Sequence, residues 1–395
     1  MGRADSLQAE CSCSYTSHQV PPAALNSAFR RGHGASAARH RPDRQRQART
    51  GVIPSCRLDV RTRGDAPSSA APQRPQHPPI PTYVKAAGRV IAIPDIHGDI
   101  NKCVVSLELA GVLRQVNQRP VWCGGNTVVV QLGDVLDRGD IELGTLLMLR
   151  DLDEQARRFG GAIYVLNGNH ETLTVAGNFR FATRGGMQES AKAMGVSGPA
   201  LNDIVQLGMA RRRMYKPGGP GAQMLAMNPT VLVVNDTLFV HGGLLPQHVD
   251  FGLQAINDAV SAWMRGEAPA SSKDNAQMIA MGNAHSVVWN RMFGAKDFQK
   301  KGRAYVQRTL RTVLERVGAT DMVIGHTPQV EGANMELDGQ LWRMDVGMSM
   351  GVLNAAPQVL EITRDANNRS VKRVLTALPV TNGIPCGVPY CQIRW

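Results

Sequence analysis

The sequence lacks several features that would mark other classes of protein. It contains no apolar stretch approaching the roughly 18 residues that a membrane-spanning helix needs, so we expect no transmembrane helix and no membrane partner. Aromatic residues make up only 5% of the chain, which argues against a stacking platform for single-stranded nucleic acid. The seven cysteines are odd in number and form no pair of Cys-x-x-Cys motifs, which disfavours a zinc ribbon or a secreted disulfide framework.

Lysine and acidic residues are scarce at the start of the chain. Residues 1–80 contain twelve Arg, no Lys and five acidic residues, so they carry +7 of the net charge of +12 and leave only +5 for the rest. This segment is rich in Ala, Ser, Pro and Gln and has no sustained periodicity, which predicts a disordered leader. Its Arg-rich, acid-poor composition is typical of organelle transit peptides. An RNA-binding arm is an alternative, but the distribution of charge gives little support to a nucleic-acid partner for the folded part.

From about residue 88 the sequence alternates apolar runs with helical patterns. The runs at 90–93, 128–132 and 163–166 predict buried strands, and helical patterns follow the first two at 100–113 and 141–159. This alternation predicts parallel pairing, with functional residues at the carboxyl ends of the strands.

The second half of the sequence predicts a different arrangement. Asn235 and Asp236 separate two apolar runs and suit a hairpin turn, and amphipathic helices are predicted around 253–263 and 306–317. Further strands are predicted at 322–324, 341–344, 359–362 and 371–377. We therefore expect an α/β fold, a layered β-sandwich of two mixed sheets flanked by helices, in a catalytic domain spanning 81–378.

Two remaining segments have less regular patterns. Residues 172–230 have weak periodicity, include the run Arg211-Arg212-Arg213, and are the best candidate for a cap or loop that selects the substrate. Residues 379–395 form a C-terminal tail. Cys386 and Cys391 in this tail could form a local disulfide under oxidising conditions, although free thiols are the commoner state in reducing compartments.

Five polar blocks follow apolar runs in a fixed order. They contain carboxylates, an amide and imidazoles, which together suit borderline divalent metals such as manganese, iron or zinc better than calcium. Two such ions can activate a bridging water for in-line attack on a phosphoryl group. The blocks are Asp95-Ile96-His97-Gly98-Asp99, Gly133-Asp134-Val135-Leu136-Asp137-Arg138-Gly139, Gly168-Asn169-His170-Glu171, His241-Gly242-Gly243 and Gly325-His326-Thr327.

The blocks also contain the groups that phosphoester hydrolysis needs besides metals. Asp95 and His97 alternate with Ile96, so on an extended segment both side chains would leave the same face. Arg138 offers a bidentate phosphate donor. His170 adjoins the candidate ligand Asn169, and Asp137 is the natural partner to orient it as a proton donor.

Together the blocks resemble the phosphoprotein phosphatase branch of the calcineurin-like metallophosphoesterases, over roughly residues 88–377. The resemblance implies a β-sandwich with a bimetal site, in which His170 is the general acid paired with Asp137 and Arg138 binds phosphate. It implies that Asp95 and His97 bind the first metal, that Asp134 bridges, and that Asn169, His241 and His326 bind the second.

Two departures narrow the resemblance. The Arg-Gly and Ser-Ala-Pro-Asn-Tyr blocks of the eukaryotic members are missing, and Val288-Trp289-Asn290-Arg291 and Met344-Asp345-Val346-Gly347-Met348-Ser349 occur instead. This pattern resembles the bacterial-type Shewanella-like protein phosphatases of plants and algae. Arg291 is then the candidate second phosphate-binding residue, with a surface ion pair as the alternative. Since one branch of that family is plastidic, we expect a chloroplast location, with mitochondrion or cytoplasm as alternatives.

The leading hypothesis is therefore a metal-dependent protein phosphatase that acts on phosphoprotein substrates, with manganese favoured over iron or zinc. A hydrolase of dinucleoside polyphosphates or other small phosphoesters shares the same blocks and stays open as the alternative. The sequence does not predict the oligomeric state.

Overall fold

The computed structural model describes residues 79–267, 285–298 and 301–377. The leader except for its last two residues, and the tail with Cys386 and Cys391, lie outside the described residues. Among the described residues, no helix is both long enough and apolar enough to cross a membrane.

Most of the described strands coincide with the apolar runs of the sequence, but the strands at 83–84, 113–116, 119–122 and 334–336 were not predicted. In chain order they are β1 (Tyr83–Val84), β2 (Val90–Ile93), β3 (Leu113–Val116), β4 (Arg119–Trp122), β5 (Val128–Gln131), β6 (Ala162–Val165), β7 (Val231–Val234), β8 (Thr237–Val240), β9 (Asp321–Ile324), β10 (Asn334–Glu336), β11 (Leu341–Arg343), β12 (Gln358–Arg364) and β13 (Ser370–Thr376).

The described helices flank these strands. They are α1 (Ile100–Leu109), α2 (Glu142–Arg157), α3 (Asn169–Val175), α4 (Arg184–Ala193), α5 (Ile204–Tyr215), α6 (Pro220–Leu225), α7 (Pro246–Phe251), α8 (Leu253–Met264) and α9 (Arg303–Val317). Short 3-10 helices occupy Gly198–Asn202, Lys296–Phe298 and Leu337–Gly339.

Within the described part of the chain, most strands belong to two mixed sheets. One has the order β13-β12-β2-β5-β6, and the other has the order β1-β7-β8-β9-β11-β10. The predicted parallel pairing of β2 with β5 and of β5 with β6 is confirmed. The predicted β7–β8 hairpin is also confirmed, as an antiparallel pair that places Val234 opposite Thr237. The α/β sandwich of two mixed sheets is therefore the observed architecture.

The core consists of layers because successive strand residues point to opposite faces. Val90 and Ala92 of β2 pack in a cluster that includes Phe239 and Val323 of the other sheet. Ile91 and Ile93 instead belong to a cluster with the helices α1 and α2. On the other sheet, Leu238 and Met322 pack with Leu310 and Val313 of α9. The amphipathic face predicted for 306–317 is thus a core face.

One helix is shorter than predicted. The pattern at 100–113 predicts a single helix, but α1 ends at Leu109 and residues 113–122 form the β3–β4 hairpin. The reason is Gly111, which lies inside the predicted helical range. It adopts φ +63°, the left-handed conformation that ends helices and favours glycine.

The segment 172–230 is mostly helical. It contains the end of α3 and all of α4, α5 and α6, which its weak periodicity did not predict. α4 and α5 pack against each other around a small apolar cluster of Ala191, Leu207 and Ala210. Two of these three residues are alanine, which produces little contrast between the two faces of a helix, so the sequence signal was weak.

Candidate active site

The five blocks converge because each follows the carboxyl end of a strand. Asp95, Asp134 and Asn169 come after β2, β5 and β6 of the first sheet, whereas His241 and His326 come after β8 and β9 of the second. All six predicted metal ligands, including His97, are buried.

Asp134 lies at the centre of this convergence. Its Oδ2 is 3.3 Å from Nε2 of His241, 3.7 Å from Nε2 of His97 and 3.9 Å from Nε2 of His170. The close fit depends on Gly168, because a Cβ there would lie 2.3 Å from Asp134 Oδ1. The central position agrees with the predicted bridging role of this carboxylate.

Backbone carbonyls orient two of the imidazoles. His97 Nδ1 is 3.1 Å from the carbonyl oxygen of Leu136, and His241 Nδ1 is 2.8 Å from that of Leu132. If each Nδ1–H donates to its carbonyl, Nε2 is left with a free lone pair that faces Asp134. This arrangement is how proteins commonly fix the tautomer of a metal-binding histidine.

The other predicted ligands lie around the same centre. Asn169 Oδ1 is 3.0 Å from His241 Nε2. The carboxylate of Asp95 accepts a hydrogen bond from the backbone N–H of His326 at 3.1 Å. A Cβ at Gly325 would lie 2.3 Å from Asp95 Oδ1, so glycine permits this approach as well.

Asp95 and His97 do not lie on an extended segment, so the predicted alternation of their side chains with Ile96 is wrong. β2 ends at Ile93, and His97 has φ +48°, so the two side chains do not alternate along an extended strand. Instead the chain turns, and the backbone N–H groups of Ile96 and His97 both donate to the carbonyl oxygen of Asp134. The turn still directs His97 toward Asp134.

The histidines of the site differ in the pKa of their imidazoles. Burial lowers the pKa of His97 to about 4 and holds the pKa of His326 well below its usual range. Burial acts in the same direction on His241, but the carboxylates of Asp134 and Asp95 outweigh it and raise its pKa to about 10. The neutral form, which metal binding requires, is therefore strongly favoured at His97 and His326.

The donor set fits divalent metal ions. Asp134, His241 and His326 offer ligand atoms that all lie within 4.8 Å of one another, and His97, Asp134 and His170 form a second such group. Among the described residues, His326 Nε2 is buried without a hydrogen-bond partner. A buried polar atom without a partner is costly, and binding to a metal ion at this position would satisfy it.

The predicted acid pair is present as a short contact. His170 Nδ1 lies 2.7 Å from Asp137 Oδ2, and both side chains are buried. Burial alone would lower the pKa of His170, but the carboxylates of Asp134 and Asp137 outweigh it, and the pKa is raised. Nε2 of the same ring faces Asp134, so a proton carried there would lie beside the metal ligands.

The two predicted phosphate-binding arginines lie at the rim of the site. The Arg138 guanidinium is 4.8 Å from the centre of the Phe181 ring, which is 5.0 Å from the ring of His170. Arg291 is exposed, and its Nη1 donates to the carbonyl oxygen of His326 at 3.2 Å and to Thr327 Oγ1 at 3.1 Å. The structure thus brings Arg291 next to a predicted metal ligand.

Comparisons with known proteins decide the family. The model of the calcineurin-like phosphoesterases matches residues 88–330. Shewanella-like protein phosphatase 2 of Arabidopsis thaliana is 35% identical, over 76% of this chain and 82% of its own length. The chain belongs to the Shewanella-like branch of the calcineurin-like phosphoesterases.

Other relatives of this family agree. Shewanella-like protein phosphatase 1 of Plasmodium berghei is 24% identical, over 68% of this chain and 69% of its own length. The crystal structure of a cold-active protein-tyrosine phosphatase from a psychrophilic Shewanella species has a similar fold, with a TM-score of 0.57 and 21% identity. That match covers 75% of this chain and 83% of the other. The resemblance inferred from the five blocks is confirmed.

Several residues of this phosphoesterase site were not predicted. Glu171 accepts hydrogen bonds from the backbone N–H groups of Gly168, Asp134, Val135 and Leu136, so it ties the start of α3 to the turn that carries Asp134. Glu171 belongs to the predicted Gly-Asn-His-Glu block, but the sequence alone does not predict this structural function.

Two further residues reach the site from distant parts of the sequence. Asp345, two residues after the end of β11, is buried. Burial and the Asp134 carboxylate raise the pKa of Asp345 to about 6, and Asp345 in turn contributes, after burial, to the raised pKa of Asp95. Arg211 on α5 bonds the carboxylate of Asp137. Asp345 lies in the Met344–Ser349 block that resembles the Shewanella-like phosphatases. For Arg211, the run Arg211-Arg212-Arg213 is the only sequence feature that could have drawn attention to it.

Proposed function

We propose that this chain is a metal-dependent phosphomonoester hydrolase that acts on phosphoproteins. The observation that carries this proposal is the joint geometry of two features. Asp134 lies within 4 Å of three imidazoles, and one of these, His170, is held by Asp137 at 2.7 Å. Metal ligands and a proton donor therefore lie side by side, as phosphomonoester hydrolysis requires.

Two divalent ions would be held by the residues predicted from the sequence. His97 and Asp95 would hold one, Asn169, His241 and His326 would hold the other, and Asp134 would be shared. When bound, such ions supply Lewis acidity toward the phosphoryl oxygens and the attacking water. The donors combine oxygen and imidazole nitrogen, which suits manganese, iron or zinc better than calcium. Of these three metals we favour manganese, with iron or zinc as alternatives.

The chain's own residues would handle the proton and the phosphate. His170 donates the proton on Nε2 to the leaving oxygen, while Asp137 holds Nδ1 and fixes the ring. Arg138 and Arg291 place guanidinium groups at the rim, where they bind phosphoryl oxygens. The apolar ring of Phe181 lies against both His170 and Arg138 and helps to exclude water from them.

The protein substrate is supported by the relatives, whose names describe protein phosphatases. The test is hydrolysis of phosphoserine, phosphothreonine and phosphotyrosine peptides, compared with dinucleoside tetraphosphate, by the full chain under manganese titration. We expect manganese-dependent phosphate release from at least one peptide. Exclusive activity on the nucleotide would contradict the protein-phosphatase assignment, and inactivity on every phosphoester would contradict the hydrolase itself.

A further inference from the structure

The run Arg211-Arg212-Arg213 on α5 places three identical side chains in different environments. Arg212 and Arg213 are exposed, whereas Arg211 is completely buried. A buried guanidinium is unfavourable unless anionic partners compensate the lost hydration. The partners of Arg211 therefore explain its position.

Those partners are two buried carboxylates near the acid pair. Arg211 Nη2 donates to Asp137 Oδ1 at 3.0 Å and to Glu142 Oε2 at 3.2 Å, and Nη1 also bonds Glu142. Ser190 Oγ lies 3.3 Å from the same Nη1, and the guanidinium lies 5.2 Å from the centre of the Tyr215 ring. Arg211 is therefore fixed by contacts on several sides.

The contact with Asp137 matters because the other oxygen of that carboxylate holds the predicted acid. Asp137 Oδ2 lies 2.7 Å from His170 Nδ1, while Oδ1 bonds Arg211. The backbone N–H of Asp137 also donates to Glu142 Oε2 at 2.7 Å. With both oxygens and its backbone bonded, the Asp137 carboxylate cannot rotate without breaking one of these bonds.

We propose that Arg211 is a positioning residue, which acts through Asp137 to keep the His170 imidazole aligned for proton donation. The proposal rests on the proposed phosphomonoesterase function. It also gives the helical segment 172–230 a part in the chemistry, since α5 would help set the geometry of the acid. A purely structural alternative is that Arg211 only attaches α5 to α2 through Glu142.

Substrates with different leaving groups distinguish the positioning role of Arg211 from the purely structural one. p-Nitrophenolate needs little protonation as it departs, whereas phenolate needs more, so a misaligned acid slows phenyl phosphate more than p-nitrophenyl phosphate. A merely loosened fold would slow both substrates alike. The measurement is kcat and KM for both substrates with manganese, together with the metal content of each protein.

The variants are chosen so that the chain can still fold. Arg211→Lys keeps the positive charge but loses the bidentate hydrogen bonding of the guanidinium. The double variant Arg211→Met with Glu142→Gln removes one charge of each sign. Glu142→Gln alone is the reference for the double variant, and Arg213→Met is the matched control on the exposed face of α5.

For Arg211→Lys and for the double variant, we expect kcat on phenyl phosphate to fall about tenfold or more, part of the hundredfold or greater contribution of a general acid. The fall on p-nitrophenyl phosphate should be less than about threefold, and KM and metal content should stay near wild type. In a His170→Ala background, Arg211→Lys should change kcat by less than about twofold, because residues that act through one another are not additive.

Equal losses on both substrates, a loss confined to KM, loss of metal, or an undiminished effect in the His170→Ala background would each overturn the positioning role. Arg213→Met should match wild type, and an equal defect there would also overturn it. Wild-type turnover of p-nitrophenyl phosphate tests the proposed function separately, because a wild-type chain that hydrolyses neither substrate refutes both proposals.

Discussion

At the scale of single residues, Asp134 and His170 predict different kinds of defect. Asp134 lies between three imidazoles, so Asp134→Asn should lower metal content and reduce turnover of p-nitrophenyl phosphate to near background. His170→Ala removes the proton donor but no predicted ligand. It should keep its metal and lose turnover of phenyl phosphate by about a hundredfold or more.

Metal analysis of the two purified variants checks this difference. The loss of turnover in His170→Ala should be smaller with p-nitrophenyl phosphate than with phenyl phosphate, because p-nitrophenolate needs less protonation as it leaves. If both variants lose metal equally, His170 is a ligand and its assignment as the acid is wrong.

The same residues show what sequence can predict at this scale. The types and order of the ligands were readable because each block follows a strand. The backbone conformations of the site residues were not readable, since Asp134, Asp137, Arg138 and His326 all have φ between +55° and +68°, a region that non-glycine residues rarely adopt. Such conformations persist only where the surrounding structure enforces them, and no local pattern encodes that enforcement.

At the scale of secondary-structure elements, Glu189 links α4 to the start of α2. Its carboxylate accepts hydrogen bonds from the backbone N–H groups of Leu143 and Gly144 at 2.7 and 2.8 Å. Burial raises the pKa of Glu189 from its ordinary 4.5 to about 7, despite those hydrogen bonds. Between these two values the folded protein binds a proton that the unfolded chain releases.

The free energy of unfolding contributed by Glu189 is therefore present below pH 4.5 and is lost as the pH rises toward 7. The side chain of Glu189→Gln cannot titrate, so the variant does not lose stability in this way. As the pH rises from 4.5 to 7, we therefore expect its free energy of unfolding to increase relative to that of wild type, by no more than about 3 kcal/mol. Urea unfolding at pH 5 and pH 8 measures this change. Glu154→Gln, at an exposed position of α2, is the control. If the difference in unfolding free energy between Glu189→Gln and wild type does not vary with pH, the prediction is wrong.

Elements with strong periodicity were the predictable ones. β2 matches the predicted run at 90–93 in both bounds, because a completely buried strand needs consecutive apolar residues. The helices α4 to α6 were missed because glycine, alanine and polar or charged residues interrupt their apolar patterns, and tertiary contacts such as the ion pairs of Arg211 hold α5 in place. Those contacts join residues about 70 positions apart, a separation at which a single sequence gives no signal.

At the scale of the whole molecule, the two sheets supply different parts of one site. The first sheet positions Asp95, Asp134 and Asn169, and the second positions His241 and His326. The leader lies almost entirely outside the described residues, so the transit peptide and the chloroplast location stay predictions. Fusion of residues 1–80 to a fluorescent protein would test them.

Because both sheets contribute ligands, metal binding should couple to the stability of the entire sandwich. Asp95 and Asp345 are buried carboxylates that repel each other, and cations would offset this repulsion in the folded state alone. Manganese at a hundredfold excess over its Kd should add about 2.7 kcal/mol of stability, which corresponds to a rise in Tm on the order of 5 °C or more. Scanning calorimetry of chelator-treated protein, with and without added manganese, measures the rise.

Two variants serve as controls for this rise in Tm. His170→Ala should keep the full rise, and Asp134→Asn should lose most of it. An identical Tm with and without every divalent ion tested would show that the site binds no metal in the folded protein.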